Sequence, residues 1–362
     1  MATSFQSAYR NRRVFLTGHT GFKGSWLALW LEQLEAKVTG YALAPSTSPS
    51  HYGLLELGLN SIIGNLNQGS RLREALIEAQ PEIVFHLAAQ PLVLKSYEDP
   101  LETFESNVMG TARLLDTCRQ IPSVKAVIVI TTDKCYENRE WLYGYRENDE
   151  LGGHDPYSAS KACVELLTAS FRRSFFEATQ GSNALVATAR AGNVIGGGDW
   201  CENRLVPDVM RAASASRPVE IRNPKSSRPW QHVLEPLAGY LALGAELLNE
   251  RKEFASAWNF GPELDSNLTT EGLFERMQRS WPEIRCEITP QENAPHEAGL
   301  LMLDSTKALR ELKWKPVWGL DETLHETVAW YRSYYEDAQT ISTEQIAKYT
   351  ECAAQQEIQW AL

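Results

Sequence analysis

Val14-Phe15-Leu16-Thr17-Gly18-His19-Thr20-Gly21-Phe22-Lys23-Gly24 leads from a short apolar segment into three glycines at regular spacing. Residues 25–34, which follow, have apolar side chains at helical spacing. In such a strand–loop–helix unit, one glycine allows a tight turn, one lets the backbone approach a pyrophosphate, and one packs the helix on the strand. The first helical turn offers unpaired N–H groups to the anion. The segment predicts a dinucleotide site that includes Gly18, Thr20, Gly21, Phe22 and Gly24.

Strand and helix patterns continue to alternate through the first half of the chain. Apolar extended segments at residues 37–43, 83–87 and 126–131 are separated by helical patterns at residues 71–79 and 104–119. Strands that alternate with helices of this length form βαβ units. The sequence therefore predicts the α/β class, with a Rossmann-type doubly wound parallel sheet.

The character of the sequence changes after Gly192. Eight of the eleven tryptophans lie from Trp200 onward, among loops that contain proline. This change predicts a smaller α+β domain that binds the substrate. We expect residues 1–192 mainly to hold the dinucleotide and the catalytic residues. Residues 193–340 would mainly bind the substrate, with some chain crossing back to the sheet, and residues 341–362 would form a C-terminal tail.

Composition limits the classes of partner. The 362 residues carry a net charge of −11, which argues against nucleic acid or an anionic membrane as the main partner. No apolar run reaches the roughly 18 residues of a membrane span, and the first residues lack the apolar segment of a secretory signal. Six cysteines at irregular spacing, without a C-x-x-C pair, indicate reduced thiols. We expect a cytoplasmic protein without a metal site.

The second predicted strand leaves the choice of dinucleotide open. It ends in Gly40-Tyr41-Ala42-Leu43-Ala44, with no acidic residue for the ribose 2′-hydroxyl of NAD and no arginine for the 2′-phosphate of NADP. NAD is favoured because no cationic residue lies there. Asn65, after the third strand, is a candidate adenine contact, and the alternative is an ordinary turn asparagine.

Tyr157 and Lys161 form an i,i+4 pair downstream of the β-branched segment at residues 126–131. Such residues share a helix face, so the lysine ammonium can lie beside the phenol. A neighbouring cation is expected to lower the tyrosine pKa from about 10, which makes the phenol a usable general base. An isolated pair of this spacing is more often a solvated helix face, but here it follows the glycine segment in the order that this chemistry requires.

Together these segments resemble the extended short-chain dehydrogenases/reductases, and within them the nucleotide-sugar 4,6-dehydratases. The resemblance runs from about Arg13 to about Tyr335, and it is strongest to the branch that acts on CDP-glucose. Besides the glycine segment it rests on His86-Leu87-Ala88-Ala89-Gln90, Asn107-Val108-Met109-Gly110-Thr111, Thr131-Thr132-Asp133-Lys134-Cys135-Tyr136, Tyr157-Ser158-Ala159-Ser160-Lys161, Arg190-Ala191-Gly192-Asn193-Val194 and Arg228-Pro229-Trp230-Gln231-His232-Val233.

Thr132-Asp133-Lys134 is the segment that bears on the reaction. Most members of the family resemble one another in having Thr-Asp-Glu there, whereas here a lysine follows the aspartate. The CDP-glucose branch looks to share this Asp-Lys pair. The resemblance implies that Asp133, with a pKa raised by burial, protonates the C6 oxygen of the sugar as water leaves. It implies that Lys134 removes the C5 proton and that Thr132 positions the C4 hydroxyl beside Tyr157.

Adjacent residues of a strand point to opposite faces of the sheet. Asp133 and Lys134 can both reach one sugar only if the chain has already left the strand. The carboxyl end of a strand, where such sheets bind ligands, meets that condition. Otherwise Asp133 caps a turn and Lys134 is an ordinary solvated lysine.

The resemblance also implies the reaction and its other contacts. The reaction converts CDP-glucose to CDP-4-dehydro-6-deoxyglucose, for deoxyhexose and lipopolysaccharide O-antigen synthesis. The implied NAD contacts beyond the glycine segment are Asn65, Leu66, Leu87, Ala88, Ala89, Gln90, Asn107, Thr131, Tyr157 and Lys161. The implied contacts to the nucleotide sugar are Ser96, Thr132, Asn193, Arg204, Leu205, Arg222 and Arg228, with Arg228 favoured for the diphosphate.

Several alternatives stay open from the sequence. One is a dehydratase for a dTDP-, UDP- or GDP-linked sugar, because no motif selects cytosine. Another is a nucleotide-sugar 4-epimerase or reductase, although the Asp133-Lys134 pair argues against an epimerase. A third is a regulator that senses NAD without catalysis, which would have no need of Tyr157 and Lys161. By analogy with the family, helices at residues 104–119 and 158–176 from two copies form a four-helix bundle, which implies a homodimer or homotetramer.

Overall fold

The computed structural model describes residues 4–177, 182–202, 204–221, 224, 226–263, 266–288 and 300–362. The strands are β1 (Arg13–Thr17), β2 (Lys37–Ala42), β3 (Asn60–Ile63), β4 (Ile83–His86), β5 (Ala126–Ile130), β6 (Leu185–Ala191), β7 (Val194–Ile195), β8 (Val219–Ile221), β9 (Ser227–Pro229), β10 (Gln231–His232), β11 (Ala257–Phe260), β12 (Asn267–Thr269) and β13 (Cys286–Ile288). The α-helices are α1 (Phe5–Tyr9), α2 (Phe22–Gln33), α3 (His51–Leu54), α4 (Gly69–Ala79), α5 (Val93–Glu98), α6 (Pro100–Phe104), α7 (Gly110–Cys118), α8 (Pro156–Phe171), α9 (Leu205–Ser214), α10 (Leu234–Leu248), α11 (Thr270–Ser280), α12 (Leu320–Asp337) and α13 (Ser342–Gln355). Turns of π-helix cover Glu105–Met109, Arg172–Phe176 and Ala308–Leu312, and 3-10 turns cover Asp133–Cys135, Lys252–Phe254 and Gln359–Ala361.

Seven of these strands form one parallel sheet in the order β11-β6-β5-β4-β1-β2-β3. Strand β1 lies inside the sheet, where Val14 is paired with Val38 of β2 and with Ile83 of β4. The chain order reverses between β1 and β4, and sheets of this type bind ligands beyond the carboxyl ends of the strands at that point. The predicted doubly wound parallel sheet is confirmed.

Both faces of the sheet are buried because side chains alternate along each strand. Leu16, Phe85 and Ile128 belong to the apolar cluster that includes residues of α2 and α10. Their neighbours Phe15 and Val84, with Val127, belong to a second cluster with residues of α4, α7 and α8. Two helical layers therefore hold the strands and place their carboxyl ends at one edge.

The chain after β6 builds a smaller region and also returns to the sheet. Strands β7 and β10, β8 and β13, and β9 and β12 form three two-stranded sheets beside α9 and α11. Strand β11 then pairs with β6, with Ala257 opposite Thr188. The chain thus crosses back to the main sheet.

Residues 341–362, which we expected to form a tail, are built into the main core. Helix α13 buries Tyr349, whose hydroxyl donates a 2.7 Å hydrogen bond to Oε2 of Glu235. The ring of Trp360 stacks on Phe5 with centroids 4.5 Å apart. The two ends of the chain therefore stabilise each other. Among the helices of the described residues, none is both long and apolar enough to cross a membrane.

Candidate active site

The glycine segment forms the turn between β1 and α2. Gly18 has a φ of +80°, and a Cβ on it would lie 2.8 Å from the backbone nitrogen of Ala88. A Cβ on Gly24 would lie 2.0 Å from the Gly18 carbonyl oxygen. A Cβ on Gly21 would meet no atom closer than 3.4 Å, and this residue is exposed. Two glycines thus close the turn, and the third, which is exposed and has no Cβ, leaves room for an anion to approach the first turn of α2.

His19 and Thr20 connect this turn to β2. The His19 ring occupies the space that a Cβ on Gly40 would need, 2.4 Å away, and its Nε2 lies 2.7 Å from Oγ of Ser61. Burial lowers the pKa of His19 to about 4, so the ring is neutral at pH 7. The Thr20 hydroxyl donates to the carbonyl of Leu43 at 2.8 Å. These contacts hold the exposed turn rigidly against the end of β2.

His86, at the end of β4, has a structural role. Its Nδ1 lies 2.8 Å from the Thr17 hydroxyl, and its Nε2 lies 3.0 Å from the Thr111 hydroxyl, which itself donates to the Asn107 carbonyl. The Ala88 N–H donates to the same Thr17 oxygen at 3.1 Å. Burial lowers the pKa of His86 to about 3. The ring is therefore a neutral link between β1, β4 and α7.

Asn107 lies in the π-helical turn Glu105–Met109 between α6 and α7, within the segment predicted as one helix. Its Oδ1 accepts from the Gln90 N–H at 2.7 Å, and its Nδ2 donates to the Gln90 carbonyl at 3.1 Å and to Ser160 Oγ at 2.9 Å. Gln90 uses its own side chain on Leu92 and Thr103. The asparagine thus fixes the loop after β4 relative to α8. This loop contains the partly exposed residues Leu87, Ala88 and Ala89.

Asn65 and Leu66 follow β3, as predicted. The Asn65 side chain accepts from the N–H of Asn67 at 2.9 Å, and its carbonyl accepts from the Tyr41 hydroxyl at 3.0 Å. Leu66 is buried in the second apolar cluster. The structure therefore gives Asn65 the turn contact of the alternative interpretation, and adenine binding stays a prediction.

Thr132, Asp133 and Lys134 follow directly after β5. The strand ends at Ile130, and Asp133–Cys135 form a 3-10 turn, so both side chains have left the strand as required. The Thr132 hydroxyl donates to Oδ1 of Asp133 at 2.8 Å. Burial raises the pKa of Asp133, although the Lys134 charge, the Thr132 hydroxyl and the more distant Lys23 oppose the shift. Asp133 therefore has the raised pKa that an acid catalyst needs.

Tyr157 and Lys161 lie in the first turns of α8, which begins with an Asp155 cap that accepts from the Ser158 N–H at 2.9 Å. The expected lowering of the Tyr157 pKa from its usual value of about 10 is wrong for the protein by itself. Burial and then the Asp133 charge raise that pKa, while the hydrogen bond with Thr132 and the Arg204 charge oppose them. Lys161 instead donates to the Ile130 carbonyl at 3.2 Å.

Two cations near this pair come from elsewhere in the chain. Lys23, in the first turn of α2, lies close enough to Asp133, Lys161 and Arg204 for each to influence its pKa, which burial lowers to about 8. Arg204, just before α9, forms a 2.9 Å ion pair with Asp199. The sequence analysis included Arg204 and missed Lys23, since nothing in the glycine segment separates this lysine from a solvated one.

The other predicted substrate residues lie in several different elements. Asn193 follows Gly192, whose Cβ would lie 3.0 Å from Oδ2 of Asp133 and 3.9 Å from Pro229. Gly192 therefore lies between β9 and the segment Thr132-Asp133-Lys134, which we call the catalytic turn for its predicted role. Arg228, in β9, donates to the Ser227 carbonyl at 2.8 Å, and Leu205 begins α9. Ser96 is buried in α5, where its hydroxyl donates to Val93. Arg222 lies outside the described residues.

Behind the catalytic turn lies a residue that the sequence analysis also missed. The Thr131 hydroxyl donates to Oε1 of Glu165, a buried carboxylate on α8 one helical turn after Lys161. Its i,i+4 spacing from Lys161 is visible in the sequence, but the spacing alone does not distinguish it from a surface ion pair. The hydrogen bond to Glu165 of α8 thus fixes the position of Thr131.

The chain is similar to known proteins over most of its length. The family described as GDP-mannose 4,6 dehydratase matches residues 15–327. A CDP-glucose 4,6-dehydratase of Salmonella typhimurium is 48% identical over 347 residues, which cover 94% of this chain and 97% of that protein.

Solved structures show the same fold. The epimerase Mth375 of Methanothermobacter thermautotrophicus is 22% identical with a TM-score of 0.80, covering 92% of this chain and 95% of that chain. A Thermus thermophilus UDP-glucose 4-epimerase in complex with NAD is 24% identical with a TM-score of 0.76, covering 88% of this chain and 99% of that chain. The chain therefore belongs to the nucleotide-sugar 4,6-dehydratase family of extended short-chain dehydrogenases/reductases.

Proposed function

We propose that this protein is a CDP-glucose 4,6-dehydratase, a carbon–oxygen lyase that forms CDP-4-dehydro-6-deoxyglucose. The observation that carries the proposal is Asp133, a buried carboxyl with a raised pKa that influences the pKa of Tyr157. Epimerisation at C4 needs a base near C4 but no acid for a leaving hydroxyl, whereas a dehydratase needs both. The extensive identity to the S. typhimurium protein supports CDP-glucose as the substrate.

The cofactor that we propose is NAD, which supplies the hydride acceptor and donor of the reaction when bound. The turn of Gly18, Gly21 and Gly24 fits its pyrophosphate, because the exposed Gly21, which has no side chain, leaves room for an anion at the start of α2. The loop of Leu87, Ala88 and Ala89, held by Asn107 through Gln90, would pass the nicotinamide ribose. The NAD-bound relative of the same fold supports this assignment.

The chain's own residues divide the proton transfers among them. Tyr157, hydrogen-bonded to Thr132, would accept the proton of the C4 hydroxyl. The C4 ketone acidifies the C5–H bond, and Lys134 would remove that proton. Asp133 would deliver its proton to the C6 oxygen, so the hydroxyl leaves as water. The Thr132 hydroxyl, 2.8 Å from Oδ1 of Asp133, connects the two sites of proton transfer.

The diphosphate of the substrate carries negative charge into a protein of net charge −11. Local cations would offset this charge. The charges of Lys161 and Arg204 act on the pKa of Lys23, and the Arg204 charge acts on the pKa of Tyr157, so the three cations lie near the catalytic turn. We propose Arg204 and Arg228 as diphosphate contacts, since guanidinium groups match phosphate oxygens bidentately. Asn193 would contact the sugar nucleotide beside Asp133.

The direct test of this function is a product screen. Purified protein with NAD and CDP-glucose is expected to form a 4-keto-6-deoxy product, detected by mass spectrometry and NMR, without net consumption of NAD. dTDP-, UDP- and GDP-linked glucose serve as parallel substrates and are expected to react more slowly. A 4-epimer in place of the keto sugar, or stoichiometric use of NADPH, would identify the epimerase or reductase alternative. Absence of any product would reject the proposal.

We also propose that the protein is a homodimer formed through α6, α7 and α8. Leu101 is 81% exposed and Leu166 is 60% exposed, and Tyr97 and Met109 are exposed nearby on the same helical layer. Exposed apolar side chains of this number on one face indicate a protein interface. The four-helix bundle of the resemblance would cover them, and two such dimers could form a tetramer.

The double variant Leu101→Glu/Leu166→Glu is expected to be a monomer, because two buried carboxylates per subunit would be desolvated at the interface. Light scattering coupled to gel filtration measures the mass. Leu142→Glu is the matched control, since Leu142 is 82% exposed on the loop after β5 and should leave the dimer intact. A dimeric double variant would contradict this interface.

A cytoplasmic location and a role in deoxyhexose supply complete the proposal. All six cysteines are unpaired, and Cys118 and Cys135 are buried with raised pKa values. Reduced thiols are typical of cytosolic proteins. The 4-keto-6-deoxy product is a precursor of deoxyhexoses, for example those of lipopolysaccharide.

A further inference from the structure

Glu165 occupies the third position in the series Tyr157, Lys161, Glu165 along one face of α8. Its carboxylate receives hydrogen bonds from both strands that flank the catalytic turn. Oε1 accepts from the Thr131 hydroxyl just after β5. Oε2 accepts from the Thr188 hydroxyl and from Arg190 Nη2, both at 2.8 Å and both in β6.

This carboxylate is an anion in the interior of the protein. The side chains of Glu165 and Arg190 are each 3% exposed. Burial alone would raise the pKa of Glu165, but the Arg190 charge and the hydrogen bonds outweigh it and lower that pKa. Arg190 continues through Nη1 to the Tyr136 hydroxyl at 2.5 Å and to the Glu147 carbonyl at 2.9 Å. The pair is therefore part of a satisfied buried network.

Lys161 has fewer partners. Its ammonium donates to the Ile130 carbonyl at 3.2 Å, and burial lowers its pKa to about 8. Two groups oppose that shift, first the Glu165 carboxylate and then the Cys135 thiol. Lys23 and His86 face Lys161 from α2 and β4, and its charge lowers the pKa of each. Glu165 is thus the main group that favours the charged form of Lys161.

We propose that Glu165 is a positioning residue of the dehydratase site, which lies on the same face of α8 as Lys161 and ties the end of β5 to the helix that carries Tyr157. The inference rests on the proposed function for the role of Tyr157 and Lys161. It goes beyond that function because Glu165 touches neither of the reacting groups and acts through Lys161 and Thr131.

The hydrogen bond between Glu165 and Thr131 would set the position of the catalytic turn relative to α8. Thr131 precedes Thr132 and Asp133, so its hydrogen bond fixes where the chain leaves the sheet. The same carboxylate is carried by the helix that presents Tyr157. One side chain therefore sets the distance between the base at C4 and the acid at C6, and small misplacements of such groups are costly to catalysis.

Thermal unfolding of Glu165→Gln as a function of pH tests the electrostatic part without any assay of activity. Lys161 has a lowered pKa in the folded protein, so its charge costs stability below about pH 8, and this cost disappears as the pH rises. Without the carboxylate the folded pKa of Lys161 falls further and the cost below pH 8 grows. The Tm deficit of the variant is therefore expected to be larger at about pH 6 than at about pH 9.

The unpaired Arg190 lowers Tm in the variant at every pH, so the pH dependence of the deficit is the decisive quantity. Glu165→Asp, which keeps the charge, is expected to show a deficit that does not change with pH. A constant deficit for Glu165→Gln would overturn the proposal. This measurement is independent of substrate, so a wild-type protein without dehydratase activity would reject the proposed function and leave the electrostatic result standing.

A second pair of variants tests the positioning role of Glu165 if Glu165→Gln does not fold. Thr131→Val and Thr188→Val each remove one hydroxyl that donates to this carboxylate. Only Thr131 leads into the catalytic turn. Thr131→Val is expected to lower kcat by about 10-fold to 100-fold with little change in KM, and Thr188→Val is expected to leave kcat unchanged. Equal kcat values for the two variants would overturn the positioning role.

Discussion

Replacement of Tyr157 by phenylalanine is expected to lower kcat for CDP-glucose by about 10²- to 10⁴-fold, the usual contribution of a positioned general base. The variant keeps the ring and loses the hydroxyl that is hydrogen-bonded to Thr132. Because Tyr157 lies in the first turn of α8 behind an intact Asp155 cap, the helix should be unchanged. Steady-state kinetics of product formation measures the loss, and KM should change little.

Tyr143→Phe is the matched control, since Tyr143 is 74% exposed on the loop after the catalytic turn. It loses the same hydroxyl and should keep wild-type kcat. The pH profile adds a second check. Burial and Asp133 raise the pKa of Tyr157, so the reaction should accelerate as the pH rises, until other groups titrate. A Tyr157→Phe variant within a few-fold of wild-type kcat would exclude the phenol as the base.

The parts of the site that the sequence predicts correctly are those set by local chemistry. Glycine is required at position 24 because a Cβ would clash with the Gly18 carbonyl, and at position 18 because a Cβ would clash with the loop after β4. The spacing of the glycines in the sequence indicates such a turn. The exit of the chain from β5 before Asp133 follows from the alternation of side chains along a strand. The parallel sheet follows from the alternation of strands and helices. All of these features are visible within a short window of sequence.

The parts that the sequence does not predict depend on distant segments. Burial and the Asp133 charge raise the pKa of Tyr157 and the Arg204 charge opposes them, and these two residues come from other elements. Glu165 looks like half of a surface pair until β6 brings Arg190 to it. The last helix, α13, belongs to the segment predicted as a tail, because its buried face is completed by a distant residue, Trp30 of α2, which packs on Tyr349. Long-range packing decides each of these cases.

Replacement of Asp133 by asparagine is expected to lower formation of the 4-keto-6-deoxy product by about 10²- to 10⁴-fold, because an amide cannot transfer a proton to the C6 oxygen. The base at C4 stays in place, so C4 oxidation and removal of the C5 proton should continue. In D2O, CDP-glucose recovered from Asp133→Asn should carry deuterium at C5, as measured by mass spectrometry and NMR. Lys134→Met is expected to abolish both the product and the C5 exchange, which separates the acid from the base.

The stability of Asp133→Asn distinguishes loss of the acid from loss of the fold. Burial raises the pKa of Asp133, so the native state favours its neutral form. Stability is lost as the pH rises above the pKa of aspartate in the unfolded chain, and the loss is complete above the folded pKa. Asparagine removes that cost. The variant is therefore expected to have a higher Tm than the wild type at neutral pH and an equal Tm below about pH 3, where the aspartate is protonated in both states. Asp116→Asn, an exposed carboxylate paired with Arg119, should retain full activity. Lower activity combined with a lower Tm for Asp133→Asn would indicate structural damage. Lower activity combined with a higher Tm is expected of a catalytic acid whose raised pKa comes from a buried environment that destabilises the carboxylate.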